Sequence, residues 1–183
     1  MIYFSKAKVI GSKPSEMPIF KKKSFGFSLI ELMVGIAVLA ILLSIAVPSF
    51  RTMIINSQVR NAAESIANGL QKARAEAVAR NTNVTFVLGA GANTSWTVNQ
   101  VAPAVVIESR DSGEGSANVT RTPVGVATVT FNNFGRVVDA TPVTQVDLTA
   151  TATTKSLRVT IGLGGDTRMC DPNLTSGSSP RAC

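Results

Sequence analysis

The sequence contains no histidine and only two cysteines. Without histidine, the chain lacks the side chain that most readily exchanges protons near neutral pH, and the commonest metal ligand with it. The two cysteines, Cys170 and Cys183, lie too far apart for a CxxC redox motif. No serine or cysteine stands beside a plausible base, and no group of residues has metal-ligand spacing. These absences point to a protein that is not an enzyme and that holds no cofactor and no metal.

Acidic residues are also few, 11 against 18 lysines and arginines, for a formal charge of +7. The excess is unevenly placed. Lys6, Lys8, Lys13, Lys21, Lys22 and Lys23 face only Glu16 in the first 26 residues, which carry +5, and the remainder carries +2. Loss of this segment would discard most of the basicity, so net charge is a weak argument for nucleic-acid binding by the rest.

Phe27 to Val47 is a run of 21 residues with a single charge, Glu31. As a helix it would span roughly 32 Å, enough for a hydrocarbon core of about 30 Å. Lys21 to Lys23 precede it, so the lysines should stay in the cytoplasm and the C-terminal part should be translocated. A secretory signal peptide is the plain alternative, but the run is long for one and Val47-Pro48-Ser49 is a poor cleavage site. A plain anchor must account for Glu31, because a lone carboxylate in such a run costs several kcal/mol unless it is paired. Cleavage between Gly26 and Phe27 would create an α-amino cation one helical turn before Glu31. The amine of one copy could then neutralise Glu31 of a neighbour and set the axial register of packed helices.

The stretch Lys23-Ser24-Phe25-Gly26-Phe27-Ser28-Leu29-Ile30-Glu31 resembles the class III signal of type IV pilins and type II secretion pseudopilins. That resemblance implies cleavage after Gly26 by a prepilin peptidase, N-methylation of Phe27, and a role for Glu31 in aligning subunits. The 26-residue leader is long for this family; a start at Met17 would give a ten-residue leader.

Pro48 ends the apolar run and should kink or loosen a helix, or stop it. Beyond it, Ile55, Val59, Ala62, Ile66, Leu70, Ala73 and Ala77 recur every three or four residues, which predicts continuation to Asn81 with this stripe across a sheet. Arg60–Glu64, Lys72–Glu76 and Glu76–Arg80 are spaced for i,i+4 ion pairs on a solvated face.

From Val84 the pattern is of strands: Val84–Leu88, Trp96–Val101, Ala104–Glu108, Val124–Phe131, Arg136–Val138, Val143–Leu148 and Ser156–Leu163. Glycine-rich stretches between them lack the Lys-Ser/Thr ending of a phosphate loop. Strands without intervening helices predict hairpins in an antiparallel sheet. The segments Leu70 to Asn81 and Val126 to Val137, the second with Phe131 and Gly135, are similar to the helix end and hairpin of the GspH/FimT family of minor pilins and pseudopilins. The implied fold is α+β and pilin-like, a long N-terminal helix packed on an antiparallel β-domain.

A bridge between Cys170 and Cys183 would close a short, polar, turn-rich tail outside the cytoplasm, limiting the unfolded ensemble by about 3 kcal/mol. Arg168 to Pro172 with Pro180 to Cys183 resembles the tail of FimT- and FimU-like minor pilins. In some of these a Gly-Arg-x-Arg motif binds DNA. Here Gly165-Asp166-Thr167-Arg168 keeps only Arg168, with Arg181 as a second cation, and Asp166 and Asp171 cancel the two.

The expected organisation is a leader over 1–26, a transmembrane helix over 27–47, an amphipathic continuation over 48–81 and a β-rich domain over 82–183. Implied partners are the prepilin peptidase, the inner membrane and other pilin or pseudopilin subunits. The functional expectation is a minor subunit that initiates or caps a type IV pilus. The alternatives are a pseudopilin of a type II secretion system and a DNA-binding pilin for transformation.

Overall fold

A computed structural model of the chain describes residues 26–151, 153–177 and 179–183. The expected leader lies outside the described residues, apart from Gly26. The chain divides into two compact units, Met1–Ile41 and Leu42–Cys183.

Among the described residues one helix, α1, runs from Leu29 to Arg80. Its ends have local causes. The Ser28 hydroxyl accepts a hydrogen bond from the Glu31 amide at 3.2 Å, and the Ser28 carbonyl accepts one from the Leu32 amide. Ser28 is thus the N-cap, and Ser-x-x-Glu is the sequence of a capping box. At the other end Asn81 has φ 50°. The Thr82 amide donates to the Ala77 carbonyl and the Asn81 amide to that of Val78. This is a Schellman closure with asparagine in the left-handed position, so the helix stops one residue earlier than expected. Pro48 lies inside α1 and does not end it.

All three expected ion pairs form, Arg60–Glu64 at 2.7 Å, Lys72–Glu76 at 3.0 Å and Arg80–Glu76 at 2.6 Å. Hydrogen bonds from Arg80 and then Lys72 hold the Glu76 carboxyl below its ordinary range.

Eight strands follow among the described residues: β1 Val84–Leu88, β2 Trp96–Gln100, β3 Val105–Arg110, β4 Thr120–Thr122, β5 Ala127–Phe131, β6 Gln145–Thr149, β7 Leu157–Ile161 and β8 Thr167–Cys170. They form two four-stranded sheets, β3-β2-β1-β5 and β4-β6-β7-β8, with antiparallel pairing throughout. Two sheets replace the one expected, and β4 and β8 are additions. Arg136–Val138 is not a strand; Val137 makes only an isolated bridge to Phe131. β5 begins three residues later than expected, after Gly125 at φ 94° breaks the extended run.

The predicted helix stripe is the buried one. Val59, Ala62, Ile66, Leu70, Ala73 and Ala77 are all buried, and Ile55 packs at the edge. They share one core with Val84, Phe86, Leu88, Trp96, Val98, Val129 and Phe131 of the first sheet and Val146, Leu148, Val159 and Ile161 of the second. Gly69 sets how near the first sheet comes. A Cβ there would lie 2.6 Å from Phe86 Cε2 and 3.1 Å from the Trp96 ring. Trp96 also donates its indole N–H to the buried Ser65 hydroxyl at 2.9 Å, and the Phe86 and Trp96 rings stand 5.5 Å apart.

Gly69→Ala would gain about 1 kcal/mol of helix propensity but forces the Phe86 ring to move. We expect a net loss of about 1–3 kcal/mol in urea unfolding followed by Trp96 fluorescence, partly restored by adding Phe86→Leu. A more stable Gly69→Ala chain would contradict the close packing.

Candidate functional site

The segment with the predicted processing and assembly residues exposes its side chains. Gly26 and Phe27 precede α1, and Phe27 is 84% exposed. Every residue from Gly26 to Ile54 is exposed, although the segment is among the most apolar of the chain. It belongs to a helix long and apolar enough to cross a membrane. Glu31 lies in the first turn, on the residue whose amide Ser28 caps. The contact is made by the Glu31 backbone amide and leaves the carboxylate to the helix dipole of the first turn. Ser-x-x-Glu before an apolar run is the visible signal.

The two cysteines are joined, with Cα atoms 5.0 Å apart and a sequence separation of 13. Cys170 is the last residue of β8, so the bridge ties the chain end to the edge of the second sheet. Two backbone contacts support it. The Asp171 amide donates to the Arg181 carbonyl at 2.7 Å, and Asp171 bridges Ala182 in parallel. Arg168, a DNA candidate from the sequence, donates from Nη2 to the carbonyls of Pro180 at 3.0 Å and Ala182 at 3.1 Å. Its guanidinium thus staples the tail. The other candidate, Arg181, is exposed and borders a cleft with Lys155 and Met169. Asp166 closes the β7–β8 turn, where its carbonyl accepts from the Gly162 amide at 2.9 Å.

Sequence reasoning missed Arg121, the largest fully buried side chain of the domain. It sits at the centre of β4, the edge strand of the second sheet. It donates to the backbone carbonyls of Gly89, Asn93, Pro123 and Gly125. Gly89 and Asn93 belong to the β1–β2 turn of the first sheet, so one side chain joins the two sheets. The Arg121 amide adds a 2.8 Å bond to the Ala92 carbonyl. Burial lowers the pKa of the guanidinium from its ordinary value, but the planar fork of donors keeps the group satisfied. The second sheet is also tied by Arg158, opposite Asp147 across β6–β7, which makes a two-pronged contact at 2.5 and 3.0 Å.

Arg121→Met would leave these carbonyls without a donor, each unsatisfied group costing about 1–3 kcal/mol. We expect a large loss of stability in urea unfolding, with Arg121→Lys recovering only part because a point ammonium cannot reach all four acceptors. Recovery to wild-type stability by lysine would show that charge, not the fork, matters. Reduction of Cys170–Cys183 should cost about 3 kcal/mol, read as the difference between unfolding midpoints with and without dithiothreitol; equal midpoints would mean the bridge does not constrain the unfolded chain.

Two family patterns match the chain. The pattern of the prokaryotic N-terminal methylation motif matches residues 21–47, and that of the type II transport protein GspH matches residues 62–165. No curated protein matches the chain. Two crystal forms of the type IV minor pilin FimU of Pseudomonas aeruginosa are similar in structure. One has a TM-score of 0.47 at 20% identity, covering 68% of this chain and 98% of FimU. The other has 0.48 at 19%, covering 68% and 94%. With the GspH match spanning more than half of its length and the methylation motif at its apolar run, the chain belongs to the GspH family of type II transport proteins.

Proposed function

We propose that this subunit helps initiate or cap a type IV pilus and acts by packing, not by catalysis. It is made as a precursor with a lysine-rich leader, Met1 to Gly26 or Met17 to Gly26. A prepilin peptidase cuts between Gly26 and Phe27, and Phe27 is then N-methylated. Residues 27–47 hold the subunit in the inner membrane as a single span, 48–81 continue the helix through Pro48, and 82–183 form the periplasmic domain. Partners in the filament are other pilin-type subunits.

One observation carries this proposal: a single carboxylate, Glu31, in an otherwise uncharged run that begins at a Gly–Phe junction and exposes every side chain. Among the described residues nothing covers that surface. In a bundle of such helices its apolar residues gain neighbours, and the new amine of one subunit can pair with Glu31 of the next. The disulfide-closed tail supports the pilus over the secretion machine. The secretion reading, a pseudopilin of a type II system, draws support from the description of the matched family. The engagement of Arg168 with the tail carbonyls weakens the DNA-receptor reading.

The test replaces the wild-type copy with Glu31→Val. The variant should be inserted and cleaved, with intact mass beginning at Phe27 and carrying one added methyl group, but it should be absent from sheared filaments. Filaments containing the variant at wild-type level would remove the proposed role of Glu31. A deletion strain that loses secretion of exoproteins but keeps twitching motility would favour the secretion reading.

A further inference from the structure

Two turns meet over α1 near its C-terminal end and hold exposed apolar side chains in fixed positions. The first is Asn132–Arg136. The Asn132 side-chain oxygen accepts from the Phe134 and Arg136 amides, both at 3.0 Å, and its carbonyl accepts from Gly135 at 2.8 Å. Asn133 donates to the Asn81 side chain at 2.9 Å, fixing the turn to the helix cap. Phe134 at its tip is 76% exposed. The second turn, Gly162–Asp166, presents Leu163, which is 63% exposed.

These turns are joined. The Val137 amide donates to the Leu163 carbonyl at 3.1 Å, and Gly165 lies so close to Gly135 that a Cβ on Gly165 would collide with the Gly135 carbonyl oxygen. Both glycines have positive φ and rest against Arg74 of α1. Beside them a groove of about 720 Å³ runs between the helix residues Ala75, Val78 and Ala79 and the second turn, and Val78 is itself half exposed. The four hydrogen bonds fix the turn that carries Phe134, and with Leu163 on the joined turn and Val78 on the helix it places three exposed apolar side chains beside one groove, the composition of an interaction site.

Charge narrows the occupant. Among the described residues neither Arg74 nor Arg136 has an ion-pair partner. The acid of the second turn, Asp166, has its carboxylate folded over Gly162. Two copies meeting through this same surface would bring the same unpaired cations together, and like charges oppose association.

We propose that this surface docks the globular domain of a different filament subunit, one that inserts an apolar side chain beside Phe134 and Leu163 and offers carboxylates to Arg74 and Arg136. The proposal rests on the filament-subunit function above and adds the position and chemistry of one contact.

The test uses the full chain in its own cells, with a benzophenone amino acid in place of Phe134 and, as a control, in place of the comparably accessible Val126. The expected result is a cross-link from position 134, not 126, to another protein whose precursor has a lysine-rich leader, a Gly–aromatic junction and an apolar run containing one glutamate. Adding Arg136→Glu should lower the yield about tenfold. In a chain without the probe, Phe134→Ser with Leu163→Ser should leave the unfolding midpoint unchanged and remove the partner from the co-purified material.

Cross-linking to a second copy or to nucleic acid, equal yield at 134 and 126, or unchanged co-purification of the double variant would overturn the docking surface. Any of these with the chain still present in sheared filaments leaves the filament function standing. Absence of the wild-type chain from filaments overturns both.

Discussion

The closeness of helix and sheet at Gly69 governs the domain. Small residues along one face of α1, Ala62, Ala63, Ala67, Gly69, Ala73 and Ala77, let the rings of Phe86 and Trp96 lie against the helix backbone. A helix of larger residues would hold the sheet farther away, and Trp96 could not reach the Ser65 hydroxyl. The Arg60–Glu64 and Lys72–Glu76–Arg80 pairs flank this face, and Arg80 also donates to the Gln100 side chain of β2 at 3.0 Å. Such pairs are worth only a few tenths of a kcal/mol each when exposed, so the domain is held to its helix mainly by packing.

That packing covers the helix with two separate sheets, which leaves the joint between them to be closed. The residues there are polar: Arg121 spans the joint with its donor fork, and the Thr94 and Ser116 hydroxyls share a buried 2.6 Å bond nearby. A buried guanidinium is costly to desolvate. It persists here because the β1–β2 turn and the segment after β4 aim carbonyls at it that have no strand partners to satisfy them. Cation and loop are mutually required: without the loop the charge would be uncompensated, and without the charge the carbonyls would be buried unpaired.

Legibility in the sequence followed the range of the interactions. The helix stripe, its ion pairs and the strands β1 and β2 depend on neighbours a few residues away, and they were readable almost to the residue. The Gly–Phe junction and Glu31 stood out because a single charge in an apolar run is visible by inspection. The division into two sheets was not readable, since it depends on which strands meet across more than twenty residues of sequence, as β1 and β5 do. Arg121 was hidden for a related reason. In Thr120-Arg121-Thr122 an arginine between threonines reads as a solvated strand residue, and its acceptors are carbonyls, which every residue has. The strand signal misled in the opposite direction at Arg136 to Val138: two valines follow a glycine turn there, but only Val137 finds a bridge partner.

The N-cap at Ser28, with Glu31 in the first turn, changes how the lone carboxylate should be weighed. An acidic residue in the first turn already gains from the helix dipole and from unpaired amides, so part of its presence can be explained within one chain. That gain is small, typically about 0.3–1 kcal/mol at an exposed site. Placing a charge at the centre of a spanning helix costs about 2.5–3.5 kcal/mol, and Glu31 stands toward one end of the apolar run. The cap gain is smaller than that central cost, so in the proposed bundle a cation from a neighbouring subunit would add stabilisation that the cap alone does not supply. In the proposed mode of assembly the amine released at Phe27 would fill that place, since only processing would make it and it would lie about one turn from Glu31. Under that proposal the cap orders the start of the helix and an intersubunit pair would set the register.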